Sequence, residues 1–159
     1  MAIRPIVLLG DPVLRARAAV VTSFDAGLKA LSADLLETMY AAPGRGLAAL
    51  QVGVLQRLFV MDTGWKEGAS NPQVFINPRV TDASDILVPF TEGCLSIPGV
   101  ASRVARPDRV ALRWQDLDSG WHDGWFDGLA AVCVQHERDH LDGILCTDLP
   151  VVAEAEGTR

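Results

Sequence analysis

The chain has 159 residues, a length that predicts one domain over residues 1–159 with enough interior to bury a core. Its 20 Asp and Glu residues outnumber its 14 Lys and Arg residues, and the net charge of −6 argues against a direct nucleic-acid site. With no apolar run near the ~20 residues of a membrane span, no secretory signal at the start and only three cysteines, the sequence predicts a cytoplasmic protein without a membrane partner.

The first predicted element is an amphipathic helix over residues 25–42. Leucines and a methionine recur there at spacings of three and four residues, which places them on one face of a helix. Ser23 or Asp25 can cap its start, and Pro43-Gly44 stops it.

Short strands are predicted after this helix, separated by turn residues. Small residues fill positions 46–51, and Asn77-Pro78 is expected to end one of the strands. The predicted strands are residues 58–61, 74–76, 103–105, 109–114 and 121–126.

A second helix is predicted from an Asp127 cap to Asp142-Gly143. Short strands between two helices predict an α+β fold, in which mostly antiparallel strands pack around this central helix. The last residues, 150–159, are expected to form a flexible tail.

The second helix contains Gln135-His136-Glu137-Arg138-Asp139-His140. Positions four apart share one face of a helix, so His136 and His140 can bind one metal ion with Glu137 beside an activated water. His122 has no such partner, and we expect it to be an ordinary strand or loop residue.

A hydrolytic site of this type needs a third ligand, either a cysteine or a carboxylate. Cys133 lies on the same helix, but about 10.5 Å of rise separates it from His140, so it is better interpreted as an apolar lining residue. Cys94 follows the flexible Gly93 and can approach from a loop. Cys146 is expected to be a packing residue, and a carboxylate elsewhere remains an alternative ligand.

Three motifs, taken in order, resemble those of peptide deformylases. They are residues 44–51, 92–96 and 135–140, and weaker similarity extends over residues 3–149. The resemblance implies that Cys94, His136 and His140 bind the metal and that Glu137 performs acid–base catalysis. It also implies that the side-chain amide of Gln51 and the backbone N–H of Leu95 stabilise the oxyanion.

The same resemblance implies a peptide-binding cleft. Gly46 and Gly93 match positions that pair with an extended peptide. Residues that would otherwise be plain core match the methionine pocket: Phe90, Leu129, Val132 and Cys133. The resemblance further implies ferrous iron in the cell, replaceable by zinc or nickel, although a Cys-His-His donor set does not select among these metals.

The resemblance therefore implies a hydrolase that removes the formyl group from formyl-methionyl peptides and releases formate. Arg45, Leu50 and Ala101 depart from the family pattern, which leaves open a related hydrolase for another N-formyl or N-acyl compound. A catalytically silent peptide-binding module is a further alternative, but it would not need Glu137. We expect a monomer with weak or absent ribosome docking, because residues 150–159 carry two acidic residues and one basic residue.

Overall fold

The computed structural model describes residues 2–152; Met1 and residues 153–159, most of the predicted tail, lie outside the described part. The described residues form helices α1 (Ala26–Ala41) and α2 (Gly128–His140). They also form seven strands: β1 (Gly46–Ala48), β2 (Leu58–Met61), β3 (Gln73–Ala83), β4 (Leu87–Cys94), β5 (Ile97–Pro107), β6 (Arg109–Gln115) and β7 (Trp121–Asp127). All pairs between these strands are antiparallel, so the predicted α+β class is confirmed.

Helix α1 begins where the sequence predicts. The Asp25 carboxylate accepts a hydrogen bond from the Leu28 backbone N–H at 3.0 Å, which satisfies one of the free donors of the first turn. Leu28, Leu35 and Met39 are buried on the face that packs against β1 and β2. The helix is therefore held by its apolar stripe rather than by helix propensity alone.

Strands β1, β2, β3, β6 and β7 form one sheet in that order, with β1 at one edge. The prediction that a strand ends at Asn77-Pro78 is wrong, because β3 continues through both residues. Asn77 adopts a φ of +50°, and its side chain bonds the backbone N–H and C=O of Val21. The pairing with β6 changes register there, so a bulge accommodates the proline within the strand.

Strands β4 and β5 form a separate two-stranded sheet. They pair from Leu87 and Pro107 to Gly93 and Ala101, and the register then shifts at Cys94. The sequence predicted only residues 103–105 of this long hairpin. Near the end of the described chain, Val151 forms a bridge with Val104 on β5.

Helix α2 lies at the centre and contacts strands of both sheets. Its apolar residues Ala131 and Val134 pack in a cluster with Phe59, Phe75 and Leu112. The helix ends two residues earlier than predicted. Across the part of the chain that the structure describes, no helix has both the length and the apolar character that crossing a membrane would require.

Candidate active site

One buried face of α2 presents His136 and His140 to the end of β4. Their Nε2 atoms are 3.2 Å apart, and Cys94 Sγ lies 3.5 Å from His140 Nε2. Metal bonds of about 2.0–2.3 Å in a tetrahedral arrangement place ligand atoms roughly 3.3–3.8 Å apart. The three side chains are thus spaced as ligands of a single ion would be, and no carboxylate takes the third position in this group of described residues.

The protonation of His140 also fits a metal ligand. Burial, and then the positive charge of His136, lower the pKa of His140 to about 3. A neutral imidazole is the form that binds metal. Burial opposes a charge on His136, but its contacts with Cys94 and Glu92 raise its pKa, so metal binding there would displace a proton. Within residues 2–152, His140 Nδ1 has no hydrogen-bond partner, so only its Nε2 is engaged, and that atom points at the other two side chains.

A buried network of Glu92, Arg106 and Asp139 contacts His136 on the Nδ1 side of its ring. His136 Nδ1 is 2.9 Å from Glu92 Oε1, which directs Nε2 towards Cys94 and His140. Arg106 Nη2 donates to Glu92 Oε1 at 2.9 Å, and Arg106 Nη1 donates to Asp139 Oδ2 at 3.0 Å. Although burial opposes its charge, hydrogen bonds from His136 and Arg106 lower the pKa of Glu92.

The sequence did not predict the pairing of Glu92 with Arg106 and His136. Glu92 stands two residues before Cys94, so alternation along a strand could have placed both on one face. Nothing local marks Arg106, which arrives from the far end of the hairpin. Asp139, on α2, completes the network by accepting a hydrogen bond from Arg106.

Glu137 lies beside the histidines and is 4 % exposed. Its Oε1 is 4.0 Å from His140 Nε2 and has no hydrogen-bond partner among the described residues. Burial raises the pKa of Glu137 to about 7; the charge of His136 opposes this rise and that of Glu92 adds to it. At neutral pH such a carboxyl group can both accept and return a proton.

Gly46 gives Glu137 its space. A Cβ built at this position would lie 2.7 Å from Glu137 Oε2 and 2.9 Å from Cys133 Sγ, closer than side chains can approach. A larger residue at position 46 would therefore displace the Glu137 carboxylate or the Cys133 sulfur. Cys133 lies on the cavity wall, outside the group of three candidate ligands.

Gln51 is buried and fixed at both ends of its amide. Its Oε1 accepts from the Ala48 backbone N–H at 3.0 Å, and its Nε2 donates to Ser96 Oγ at 3.0 Å and lies 3.7 Å from Cys94 Sγ. The amide N–H group is consequently aimed at the candidate metal group. Ser96 was not identified from the sequence.

These side chains surround a cavity of about 570 Å³. Of the twelve residues predicted for the site, all except the almost fully buried His140 line it: Gly46, Gln51, Phe90, Gly93, Cys94, Leu95, Leu129, Val132, Cys133, His136 and Glu137.

Two other residues considered in the sequence lie outside the lining. His122 lies on the exposed strand β7, and its Nε2 is 2.6 Å from Asp116 Oδ2. Cys146 is buried, and its sulfur lies within 4.8 Å of donor atoms of Glu92 and His136. It therefore packs behind the site rather than in the cavity.

The fold and this group of side chains define a metal-dependent hydrolase of the His-Glu-x-x-His type with a cysteine as candidate third ligand. Comparison with known proteins narrows the class. The family model described as polypeptide deformylase matches residues 3–153. A peptide deformylase of Zymomonas mobilis is 47 % identical over 152 residues, covering 93 % of this chain and 86 % of the relative.

Other relatives agree with this match. A peptide deformylase of Maricaulis maris is 45 % identical over 148 residues, covering 93 % of this chain and 85 % of the relative. The crystal structure of the Thermotoga maritima peptide deformylase superposes with a TM-score of 0.88 at 39 % identity, covering 94 % and 98 % of the two chains. The chain therefore belongs to the polypeptide deformylase family. Deformylation of nascent peptides is the activity of this metal-dependent family, and it is the function of this protein.

Proposed function

We propose that Cys94, His136 and His140 hold one divalent metal ion, ferrous iron in the cell, which zinc or nickel can replace. The spacing of their ligand atoms supports this assignment. When bound, the ion supplies Lewis-acid activation of water and of the formyl oxygen. Glu92, itself held by Arg106, keeps His136 in the tautomer that offers Nε2.

Glu137 is the proposed proton carrier. It accepts the proton of the attacking water, the formyl C–N bond breaks, and the same carboxyl group delivers a proton to the leaving amine. The products are formate and a peptide with a free amino-terminal methionine. The observation that carries this proposal is the position of the Glu137 carboxyl group, which is buried with Oε1 4.0 Å from His140 Nε2 and without a hydrogen-bond partner among the described residues.

The oxyanion that develops on the formyl group needs hydrogen-bond donors placed in advance. We assign this role to the Gln51 amide and to the backbone N–H of Leu95, which follows Cys94 in the turn between β4 and β5. The bonds from Ala48 and to Ser96 hold the Gln51 amide rigidly, which supports its part in the assignment.

The peptide is proposed to bind as an added strand. β1 is an edge strand, so its free backbone groups at Gly46 can pair with an extended chain. Gly93 faces the same cavity and has open space where a side chain would stand. The methionine side chain would enter the wall formed by Phe90, Leu129, Val132 and Cys133.

We expect the enzyme to work as a cytoplasmic monomer with weak or absent ribosome docking. The alternative function, a hydrolase for another acyl compound, can be distinguished by its preference between formyl and acetyl substrates. An acetyl group carries a methyl where a formyl group carries hydrogen, and that methyl would crowd the metal site.

The test is to compare kcat/KM for matched formyl-Met and acetyl-Met peptides with protein loaded with iron or nickel under anaerobic conditions. Formate or acetate release reports each reaction. The proposal predicts a clear preference for the formyl peptide. Equal values for the two substrates would instead support the broader acyl hydrolase.

A further inference from the structure

A second cavity, of about 860 Å³, shares no lining residue with the active-site cavity. We call it the basic cavity. It lies between the N-terminal segment, the bulged part of β3, the start of β7 and the C-terminal end of α2. Its charged and aromatic lining includes Arg17, Arg57, Arg79, Arg138, Asp142 and Trp121.

Positive charge exceeds negative charge in this cavity. Asp142 is the one carboxylate among its described lining residues, and three arginines approach it. Arg57 Nη1 is 2.9 Å from Asp142 Oδ1, Arg138 Nη2 is 3.7 Å from Oδ2, and Arg17 Nε is 3.9 Å from Oδ1. Asp139 Oδ1 also lies 3.7 Å from Arg138 Nη1, but Asp139 is shared with Arg106 at 3.0 Å. Positive charge therefore still exceeds negative charge around Asp142, although the chain as a whole is acidic.

Arg57 has a structural role, because it also donates to the carbonyl oxygen of Leu141 at 3.1 Å. Arg17 and Arg138 are more available: their side chains are 80 % and 37 % exposed, and their contacts with Asp142 are long. These two arginines can therefore turn towards a ligand without loss of a short hydrogen bond to Asp142.

Arg79, on β3, adds further positive charge to the cavity lining. It stands directly across from Arg113 in the pairing of β3 with β6, and like charges at such positions repel. Arg113 has Asp123 at 3.4 Å, but within residues 2–152 no carboxylate lies within 4.0 Å of Arg79. A bound anion would remove this repulsion.

An aromatic surface stands next to these charges. Trp121 is 48 % exposed, and the Arg113 guanidinium lies 4.9 Å from its ring centroid. A planar ring can stack on an exposed tryptophan, and this stacking would place attached anionic groups near Arg79. The volume matches sites for small molecules, and the acidic chain disfavours an extended nucleic acid.

We propose that the basic cavity binds a small phosphorylated ligand with a planar aromatic ring, the chemistry of a nucleoside phosphate. The phosphate groups contact Arg79, Arg138 and Arg17, and the ring stacks on Trp121. This binding is separate from deformylation, because the two cavities have no residue in common.

Isothermal titration calorimetry of the metal-loaded full chain with ADP, at physiological salt, tests the proposal. We expect saturable binding that weakens at least tenfold in the double variant Arg79→Gln/Arg138→Gln. Arg109→Gln is the matched control, because Arg109 is an arginine that stacks on Trp125 outside the cavity. No ADP binding, or equal loss in the control, would overturn the proposal.

Two further binding experiments test the ring contact separately from the phosphate contacts and distinguish a small ligand from a nucleic acid. Trp121→Ala should weaken ADP binding and leave pyrophosphate binding unchanged; equal affinity of wild-type protein for ADP and pyrophosphate would refute the stacking contact. A single-stranded oligoribonucleotide that binds where ADP does not would contradict a small-molecule site and indicate a nucleic-acid surface instead.

Discussion

The C-terminal part of α2 contributes lining residues to both cavities, but the charged side chains are paired in one cavity and only partly paired in the other. In the active-site cavity, Glu92 and Arg106 are almost fully buried and paired with each other. In the basic cavity, arginines are more exposed and outnumber their partner. Burial makes an unpaired charge costly, whereas water tolerates it. The first arrangement fixes a catalytic geometry, and the second leaves charge available for a ligand.

Substitution of a metal ligand in the active-site cavity should have the strongest consequence, because the protein should lose its metal. Cys94→Ala, His136→Ala and His140→Ala should each lose bound metal, since each removes one of three ligands. Cys133→Ser should keep it, because Cys133 stands outside the group of candidate ligands. Elemental analysis of the purified variants measures this. Full metal content in Cys94→Ala together with loss in Cys133→Ser would reverse the ligand assignment.

The same substitution, Arg to Gln, should have different effects on the free energy of unfolding in the two cavities. Arg106→Gln should destabilise the protein by about 3–5 kcal/mol, because it leaves Glu92 buried without its charge partner. Arg79→Gln should change the free energy of unfolding by less than about 0.5 kcal/mol, as is usual for an exposed side chain. Urea unfolding of both variants, followed by fluorescence, measures the difference. Similar destabilisation by the two substitutions would show that the buried pair of Glu92 and Arg106 is no more important for stability than the exposed Arg79.

The smallest expected effect lies outside both cavities. Deletion of residues 153–159 should leave activity on free peptides unchanged, and ribosome affinity should be weak with or without them. Neutralised phosphates drive binding to ribosomal RNA, and this segment carries two acidic residues and one basic residue. Co-sedimentation with ribosomes at physiological salt is the assay. Tight binding that the deletion abolishes would show that the segment docks.

The sequence predicted the features that local rules govern. Capping and leucine spacing placed α1 to within one residue, and helical spacing brought His136 and His140 together. Motif resemblance supplied Cys94, which spacing alone had not chosen over a carboxylate. In each of these cases the informative residues are neighbours in the chain.

Features that depend on distant pairing were missed. The strand through Asn77-Pro78 is held by Val21, and Arg106 meets Glu92 across the β4–β5 hairpin. The basic cavity gathers arginines from separate segments, so no motif marks it. Such contacts cannot be predicted from local sequence propensity, because they depend on tertiary packing between residues far apart in the chain.

Formate release by metal-loaded Glu137→Gln tests whether Glu137 moves the proton during deformylation. Glutamine keeps nearly the same shape but cannot accept the proton, so turnover should fall by roughly 10²–10⁴-fold while metal content stays unchanged. Glu67→Gln, an exposed carboxylate paired with Arg45, is the matched control and should retain activity. Near-normal formate release by metal-loaded Glu137→Gln would show that Glu137 does not carry the proton.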